Sequence, residues 1–404
     1  MIFLFHGLSF SSFGSSFENH KRESKMINIF QPCLGKDELA AIKKVFKSNW
    51  IGKGEFVTEF ERSFAQHVNC SPENLTTTTS CSEAIFLASE LFNYNSQDEV
   101  IVPSISFVAV GNSILAKNAK MILCDVDPYT LNVRAEDIES RITSKTKAVI
   151  VTHYGGFPCD MDSIMDLCRG HNIIVIEDSA CATKSFYKGK ACGTIGDMGM
   201  WSFGAMKVIC TGDGGVIYLK SKELVEAAKE LLYHGFPNKQ KSGMDSSNAG
   251  NDNWWEYSVN RIGRRAFLNN IAGAMGVVQL NKLDGFLLRK KEIYERYCRE
   301  LSEYNWLTLP PELREGYVSS YYFFWIQLEQ RDELARFLRE QGVYSTFRYW
   351  PLHKVKHFQQ EEAYLPNSDF ASARTLNIPL HQALSDDDVS RVIELIKKFG
   401  TRYI

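Results

Sequence analysis

The 404-residue sequence predicts an α/β fold, with a large domain on a mainly parallel β-sheet followed by a small C-terminal α+β domain. Three observations lead there. Short apolar runs without alternation, such as Ala148-Val149-Ile150-Val151 and Ile173-Ile174-Val175-Ile176, read as strands buried on both faces, as parallel sheets require. Stretches of helical spacing separate these runs one by one, the order of repeated βα units. Beyond residue 284 the pattern turns to aromatic strand-like and charged helical segments, which places a large domain over 26–284 and a small one over 285–404.

The elements follow in order. Residues 1–25 begin apolar, but His6 and Gly7 interrupt the run, and there is no basic n-region or small-residue cleavage site. They are expected to form a disordered extension, with Met26 as an alternative start. Gly35-Lys36-Asp37-Glu38 opens an amphipathic helix with Leu39, Ile42, Val45 and Phe46 on one face. A turn over 49–54 leads into a second helix through Phe56, Phe60 and Phe64. Strands are expected at 75–79, 99–102, 121–124, 148–151 and 173–176, with helices at 83–91, 107–115, 135–142 and 161–169 between them. A polar, glycine- and asparagine-rich stretch over 237–254 reads as a long loop. A helix over 270–280, in which Gly273 and Gly276 allow close packing, precedes a charged helix over 287–304. In the small domain, strands at 319–326 and 343–350 and helices at 331–341 and 386–398 are expected.

Composition removes several classes of function. A formal net charge of −2 argues against a polyanion-binding surface, hence against nucleic acid. No stretch approaches the ~20 apolar residues of a membrane span. The ten cysteines include no C-x-x-C pair, which argues against a zinc site and a disulfide framework and fits a reducing, cytoplasmic setting.

Three places carry chemistry. Lys207 stands among Phe203, Met206, Val208 and Ile209, before the glycine turn Gly212-Asp213-Gly214-Gly215. Burial disfavours an ammonium, so such a lysine is expected to be a free amine and a nucleophile for carbonyls; a solvated lysine between two strands is the bland alternative. Ser80-Cys81-Ser82 joins a β-prone run to a helix, where free N–H groups and the helix dipole bind anions, or where a serine simply caps the helix. Asp178 ends an apolar strand and needs a partner, either a protonated ligand nitrogen or the N-terminus of the next helix. An amine, an acid, an anion cradle (Ser80, Cys81, Ser82, with Ser202) and an aromatic face at Phe107 are together what pyridoxal 5′-phosphate requires.

After Met26 the sequence resembles the DegT/DnrJ/StrS family of nucleotide-sugar aminotransferases, of fold type I. The resemblance rests on Ile176-Glu177-Asp178-Ser179-Ala180, Tyr187-Lys188-Gly189-Lys190, Gly193-Thr194-Ile195-Gly196-Asp197, Trp201-Ser202-Phe203 with Lys207, and Gly212-Asp213-Gly214-Gly215. Gln279-Leu280, Tyr349-Trp350-Pro351-Leu352-His353 and Ile378-Pro379-Leu380-His381 extend it. It implies that Lys207 forms the Schiff base and shuttles protons, Asp178 pairs with the ring nitrogen and Phe107 stacks on the ring. It further implies that Cys81 (by its N–H), Ser82 and Ser202 hold the phosphate, that Cys181 lies near the ring hydroxyl where the family has Gln or His, and that Tyr349 and His353 face substrate. Gly263-Arg264-Arg265-Ala266-Phe267 stands where the family has Gly-Tyr-Asn-Tyr-Arg, so the neighbouring-subunit phosphate contact of that asparagine does not carry over; by charge alone, Arg264 or Arg265 is the candidate to replace it. The implied reaction moves the amine of L-glutamate to an NDP-4-keto-6-deoxyhexose, dTDP-linked, for a surface polysaccharide such as O-antigen, in a homodimer. A 3-keto sugar aminotransferase and a deoxysugar dehydratase are the alternatives; the dehydratases carry histidine in place of the lysine.

Overall fold

A computed structural model describes residues 26–237, 255–358 and 363–403. The expected extension over 1–25 and nearly all of the expected loop over 237–254 lie outside these residues. The strands are β1 (Leu75–Thr78), β2 (Glu99–Pro103), β3 (Lys120–Cys124), β4 (Thr146–Thr152), β5 (Ile174–Asp178), β6 (Phe186–Tyr187), β7 (Lys190–Ala191), β8 (Met198–Ser202), β9 (Gly215–Leu219), β10 (Tyr317–Val318), β11 (Phe324–Gln327) and β12 (Thr375–Ile378). The helices are α1 (Lys36–Ser48), α2 (Glu55–His67), α3 (Cys81–Leu91), α4 (Val108–Leu115), α5 (Ala135–Glu139), α6 (Met161–Gly170), α7 (Lys222–Leu231), α8 (Asn270–Leu301), α9 (Arg331–Glu340), α10 (Pro366–Arg374) and α11 (Asp386–Tyr403).

Seven strands form the main sheet in the order β1-β9-β8-β5-β4-β2-β3. From β8 through β5, β4 and β2 to β3 every pairing is parallel, and β9 alone runs against its neighbours. The central strands are buried along nearly their whole length, which explains their unbroken apolar sequence. Their carboxyl ends all open on one edge, where ligands gather in such sheets.

The expected helices over 270–280 and 287–304 are a single helix, α8, of 32 residues, so residue 284 lies inside an unbroken helix that serves both halves of the chain. Its first turns press against α2: a Cβ on Gly273 would lie 2.8 Å from the Phe56 carbonyl oxygen, and one on Gly276 2.5 Å from the Phe60 ring. Helix α1 also lies on α8, but by Ala41 and Val45 against Ala274. Leu39 and Phe46, expected on the buried face, are 68% and 64% exposed, because the face of α1 that meets α8 is the one carrying Ala41 and Val45.

The small lobe gathers the second half of α8, α9, α11 and the antiparallel pair β11–β12 around Phe324, Phe337 and Phe399. The strand expected over 343–350 does not form. Val343 and Thr346 make isolated bridges, and the Arg348 N–H donates to the Asn377 side chain (2.8 Å) instead of to a ladder. This segment crosses to the large lobe, where the Leu352 N–H donates to the Ser104 carbonyl (2.7 Å).

Candidate active site

The carboxyl ends of β1, β4, β5 and β8 surround a cavity of about 320 Å³. Alternation along β5 sends its two carboxylates to opposite faces. Glu177 accepts the N–H groups of Gly193, Ile195 and Gly196, each at 2.7 Å, and meets His153 Nε2 at 3.0 Å. His153 Nδ1 accepts the Cys159 N–H, so the ring donates its Nε2 proton to Glu177. That buried cluster fixes the turn leading into β8. Asp178 faces the cavity, where one oxygen accepts the Ala180 N–H (3.1 Å) and the other has no partner among the described residues. Burial pushes the Asp178 carboxyl up, against the pull of the Ala180 N–H, Lys207 and His153.

Ser80 is the N-cap of α3, its hydroxyl accepting the Glu83 N–H at 3.1 Å. The N–H groups of Cys81 and Ser82 have no acceptor within the helix, and both residues line the cavity. Ser202, at the end of β8, faces the same space. Beyond it the chain turns back through Phe203 N–H to the Gly214 carbonyl (2.9 Å) and Thr211 N–H to the Phe203 carbonyl (2.9 Å). The return requires positive φ at Gly212 (91°) and Gly214 (157°). Lys207 projects from this turn. Its Nζ lies 3.5 Å from Cys181 Sγ and 4.8 Å from the centre of the Tyr322 ring.

The expectation that burial leaves Lys207 a free amine is reversed in the pocket as it stands. Burial opposes the ammonium, but Cys181, Tyr322, Cys81 and Asp178 surround it with acidic groups and hold its pKa above the ordinary lysine range. Burial in turn raises the Cys181 thiol and carries the Tyr322 phenol up to about 12.

The structure thus brings Ser80, Cys81, Ser82, Phe107, Asp178, Cys181, Ser202, Lys207 and Tyr349 to one cavity. The Phe107 ring is 41% exposed and lies 5.6 Å from that of Tyr349. Cys181 sits between Lys207 and the Tyr349 hydroxyl, the latter at 3.6 Å. His353 is not among the cavity residues. Its Nδ1 lies 2.6 Å from Ser104 Oγ and its Nε2 3.2 Å from Asp369 Oδ1, so both nitrogens are spent joining the lobes, and the substrate-facing place expected of it is not observed. Arg264 is likewise committed, to Glu83 and Glu90; Arg265 is exposed over the Phe267 ring. Sequence reasoning missed Thr152, Met206, Tyr322 and Arg348 as cavity residues. Arg348 adjoins the Tyr349 motif and could have been found there; Tyr322 is hidden in an aromatic run that reads as strand. Among the described residues no helix is long and apolar enough to cross a membrane, no cluster of His, Cys, Asp or Glu could hold a metal, and all ten cysteines are free.

An amine, a carboxylate with an open oxygen, a helix N-terminus with open N–H groups and an exposed aromatic face fit pyridoxal 5′-phosphate, and on this sheet they define a pyridoxal phosphate-dependent transferase of fold type I. The family model for DegT/DnrJ/EryC1/StrS aminotransferases matches residues 32–397, and the chain belongs to that family. It is an aminotransferase, with pyridoxal 5′-phosphate as its cofactor. The dTDP-4-dehydro-2,3,6-trideoxy-D-glucose 4-aminotransferase of Saccharopolyspora spinosa is 45% identical over 381 residues, covering 94% of this chain and 98% of that protein. The GDP-perosamine synthase of Escherichia coli O157:H7 is 31% identical, over 93% and 99% of the two chains. Among solved structures, the aminotransferase TlmJ of Streptoalloteichus hindustanus matches with a TM-score of 0.88 and 44% identity, over 94% of this chain and all of that one (100%).

Proposed function

We propose that this enzyme transfers the amino group of L-glutamate to C4 of a dTDP-linked 4-keto-6-deoxyhexose, giving a 4-amino-4,6-dideoxy sugar nucleotide for a surface polysaccharide. The observation that carries the reading is the Lys207 amine lining the cavity, in a chain 45% identical to an enzyme named for 4-amination of a dTDP-linked deoxysugar.

Pyridoxal 5′-phosphate, when bound, supplies a ring that withdraws electrons from the carbon carrying the migrating amine. Ser82, Ser202 and the Cys81 N–H would receive its phosphate, Phe107 its ring face and Asp178 its protonated nitrogen. Engagement of Asp178 by that nitrogen would weaken the support that Asp178 gives to an ammonium at position 207. Lys207 Nζ would then hold the cofactor and, once displaced by substrate, carry a proton between the two reacting carbons, a positioned transfer contributing ~10²–10⁴-fold. A lysine at this position also favours amine transfer over removal of a sugar hydroxyl.

The test is spectroscopic. The purified yellow protein should change its absorbance with glutamate and recover it with a 4-keto-6-deoxy sugar nucleotide. Indifference to glutamate would discard the donor, and preferential recovery with a 3-keto sugar would move the reaction to C3. We further propose a homodimer; light scattering should return twice the 46.0 kDa chain mass, and a monomer would reject it.

A further inference from the structure

Two motifs of the sequence, Gln279-Leu280 and Ile378-Pro379-Leu380-His381, have no part in the chemistry above. Gln279, and Gln382 just after the second motif, both reach the turn that carries Lys207. Between β8 and β9 that turn is neither helix nor strand, so its buried peptide groups need partners from elsewhere. Three side chains supply them on either side of the lysine. The Tyr322 hydroxyl donates to the Met206 carbonyl (3.2 Å) and Gln382 Nε2 to the Val208 carbonyl (3.2 Å), while the Cys210 N–H donates to Gln279 Oε1 (3.2 Å).

Gln279 differs from the other two in what stands behind it. It is fully buried on α8 (0% exposed), and its Nε2 donates to Glu38 Oε1 (2.7 Å) and to the Cys33 carbonyl (2.9 Å). Lys282, on the same face of α8, donates to that Glu38 oxygen as well (2.8 Å), and the Gly35 N–H donates to the other (2.8 Å). Burial acts to raise the Glu38 carboxyl, but Lys282 and Gln279 hold it below its ordinary range. A carboxylate and a carbonyl accept at one end of the amide, so its oxygen is turned to the Cys210 N–H; the flipped amide would set oxygen against oxygen. The polarity is thus set at α1 and delivered, through α8, to a peptide three residues from Lys207.

We propose that Gln279 is a positioning residue for the reaction, holding the Cys210 peptide so that the Lys207 side chain works from one fixed base. Removing its amide takes a buried partner from the Cys210 N–H, the Cys33 carbonyl and the Glu38 carboxylate together, whereas loss of the Tyr322 hydroxyl takes one from a single carbonyl. The proposal rests on Lys207 as the cofactor lysine, but on neither the donor nor the sugar.

The experiment compares the wild type with Gln279→Met, Gln279→Asn and the exchange Glu38→Gln/Gln279→Glu. Binding of pyridoxamine 5′-phosphate, which cannot condense with a lysine, reports the phosphate and ring cradle alone. Capture of pyridoxal 5′-phosphate, followed by borohydride reduction and mapping of the labelled lysine, reports Lys207. Gln279→Met should slow capture and lower kcat by roughly 10- to 100-fold, the scale of a misplaced reacting group, with pyridoxamine 5′-phosphate affinity near wild type. Gln279→Asn, whose amide is one methylene too short, should show the same loss and serves if Gln279→Met does not fold. The exchange keeps one amide and one carboxylate in contact, with an oxygen facing Cys210, and should recover part of the rate. Tyr297→Phe removes another buried hydrogen bond of α8, to the Pro379 carbonyl (2.9 Å), and should lower the melting temperature without slowing capture. Normal capture in both Gln279 variants, an equal fall in pyridoxamine 5′-phosphate affinity, or a slowing matched by Tyr297→Phe would each overturn the proposal. So would an exchange variant no faster than Gln279→Met. A label on another lysine in the wild type would overturn the reading of Lys207 and the proposal with it, whereas a label at Lys207 that the variants do not slow overturns the proposal alone.

Discussion

Lys207 and Lys290 share one aromatic neighbour and are shifted in opposite directions. Their amines lie 4.8 and 5.9 Å from the centre of the Tyr322 ring. Lys290, on α8, is 2% exposed and donates to the Leu380 carbonyl at 2.8 Å. Burial pulls its pKa down to about 7, with only Cys181 acting against it. Lys207 is pushed the other way, because its buried side chain meets Cys181, Tyr322, Cys81 and Asp178 together. The pair teaches that burial does not decide the state of a lysine; the acidic groups it meets do. It also separates a structural amine, spent on a carbonyl, from one left open to a cavity.

The harshest attempt to break this comparison is Lys207→Ala. Turnover should fall by at least ~10³-fold, while circular dichroism and the melting temperature stay close to wild type. Near-normal turnover would transfer the chemistry to another amine, Lys290 first. Asp178→Asn should reduce kcat by roughly 10- to 100-fold with the cofactor still bound, as read from its absorbance. An unaltered rate would remove Asp178 from the ring nitrogen.

Lys290→Met sharpens the other half. The folded pKa of about 7 lies below the unfolded value of about 10.4. Between these values the unfolded chain binds the extra proton, so this group makes stability rise with pH across that window; below it, the full cost of a buried ammonium is present. Lys290→Met should therefore raise the melting temperature most near pH 7 and below. The gain should shrink toward pH 10, where the loss of the hydrogen bond to Leu380, about 1 kcal/mol, remains. A melting difference independent of pH would show that Lys290 does not titrate there. The smallest effect is expected of Tyr322→Phe, which keeps the ring beside both amines and removes only the hydroxyl donated to the Met206 carbonyl (3.2 Å). Its kcat should remain within about tenfold of wild type.

The legible parts of the site share a local cause. Ser80 to Ser82, Asp178, Ser202 and Lys207 sit at or just beyond the carboxyl ends of strands, where ligands gather in such sheets. Gly273 and Gly276 were readable as a close helix contact for the same reason, since a missing Cβ is visible without a partner. Tyr349 reached the cavity as its motif implied, but His353, four residues on, turned into a joint between Ser104 and Asp369.

By itself the sequence determined the βα order of the large lobe, the burial of its central strands and the residues at their carboxyl ends, because periodicity and strand termini are properties of neighbouring positions. Only the tertiary structure decided that α1 would turn Leu39 and Phe46 outward, that 343–350 would run as a connector and that Tyr322 and Arg348 would join Lys207 around one cavity. It also decided the surroundings of the lysine itself, since the pKa of a buried amine depends on groups distant along the chain, here Cys181, Tyr322, Cys81 and Asp178.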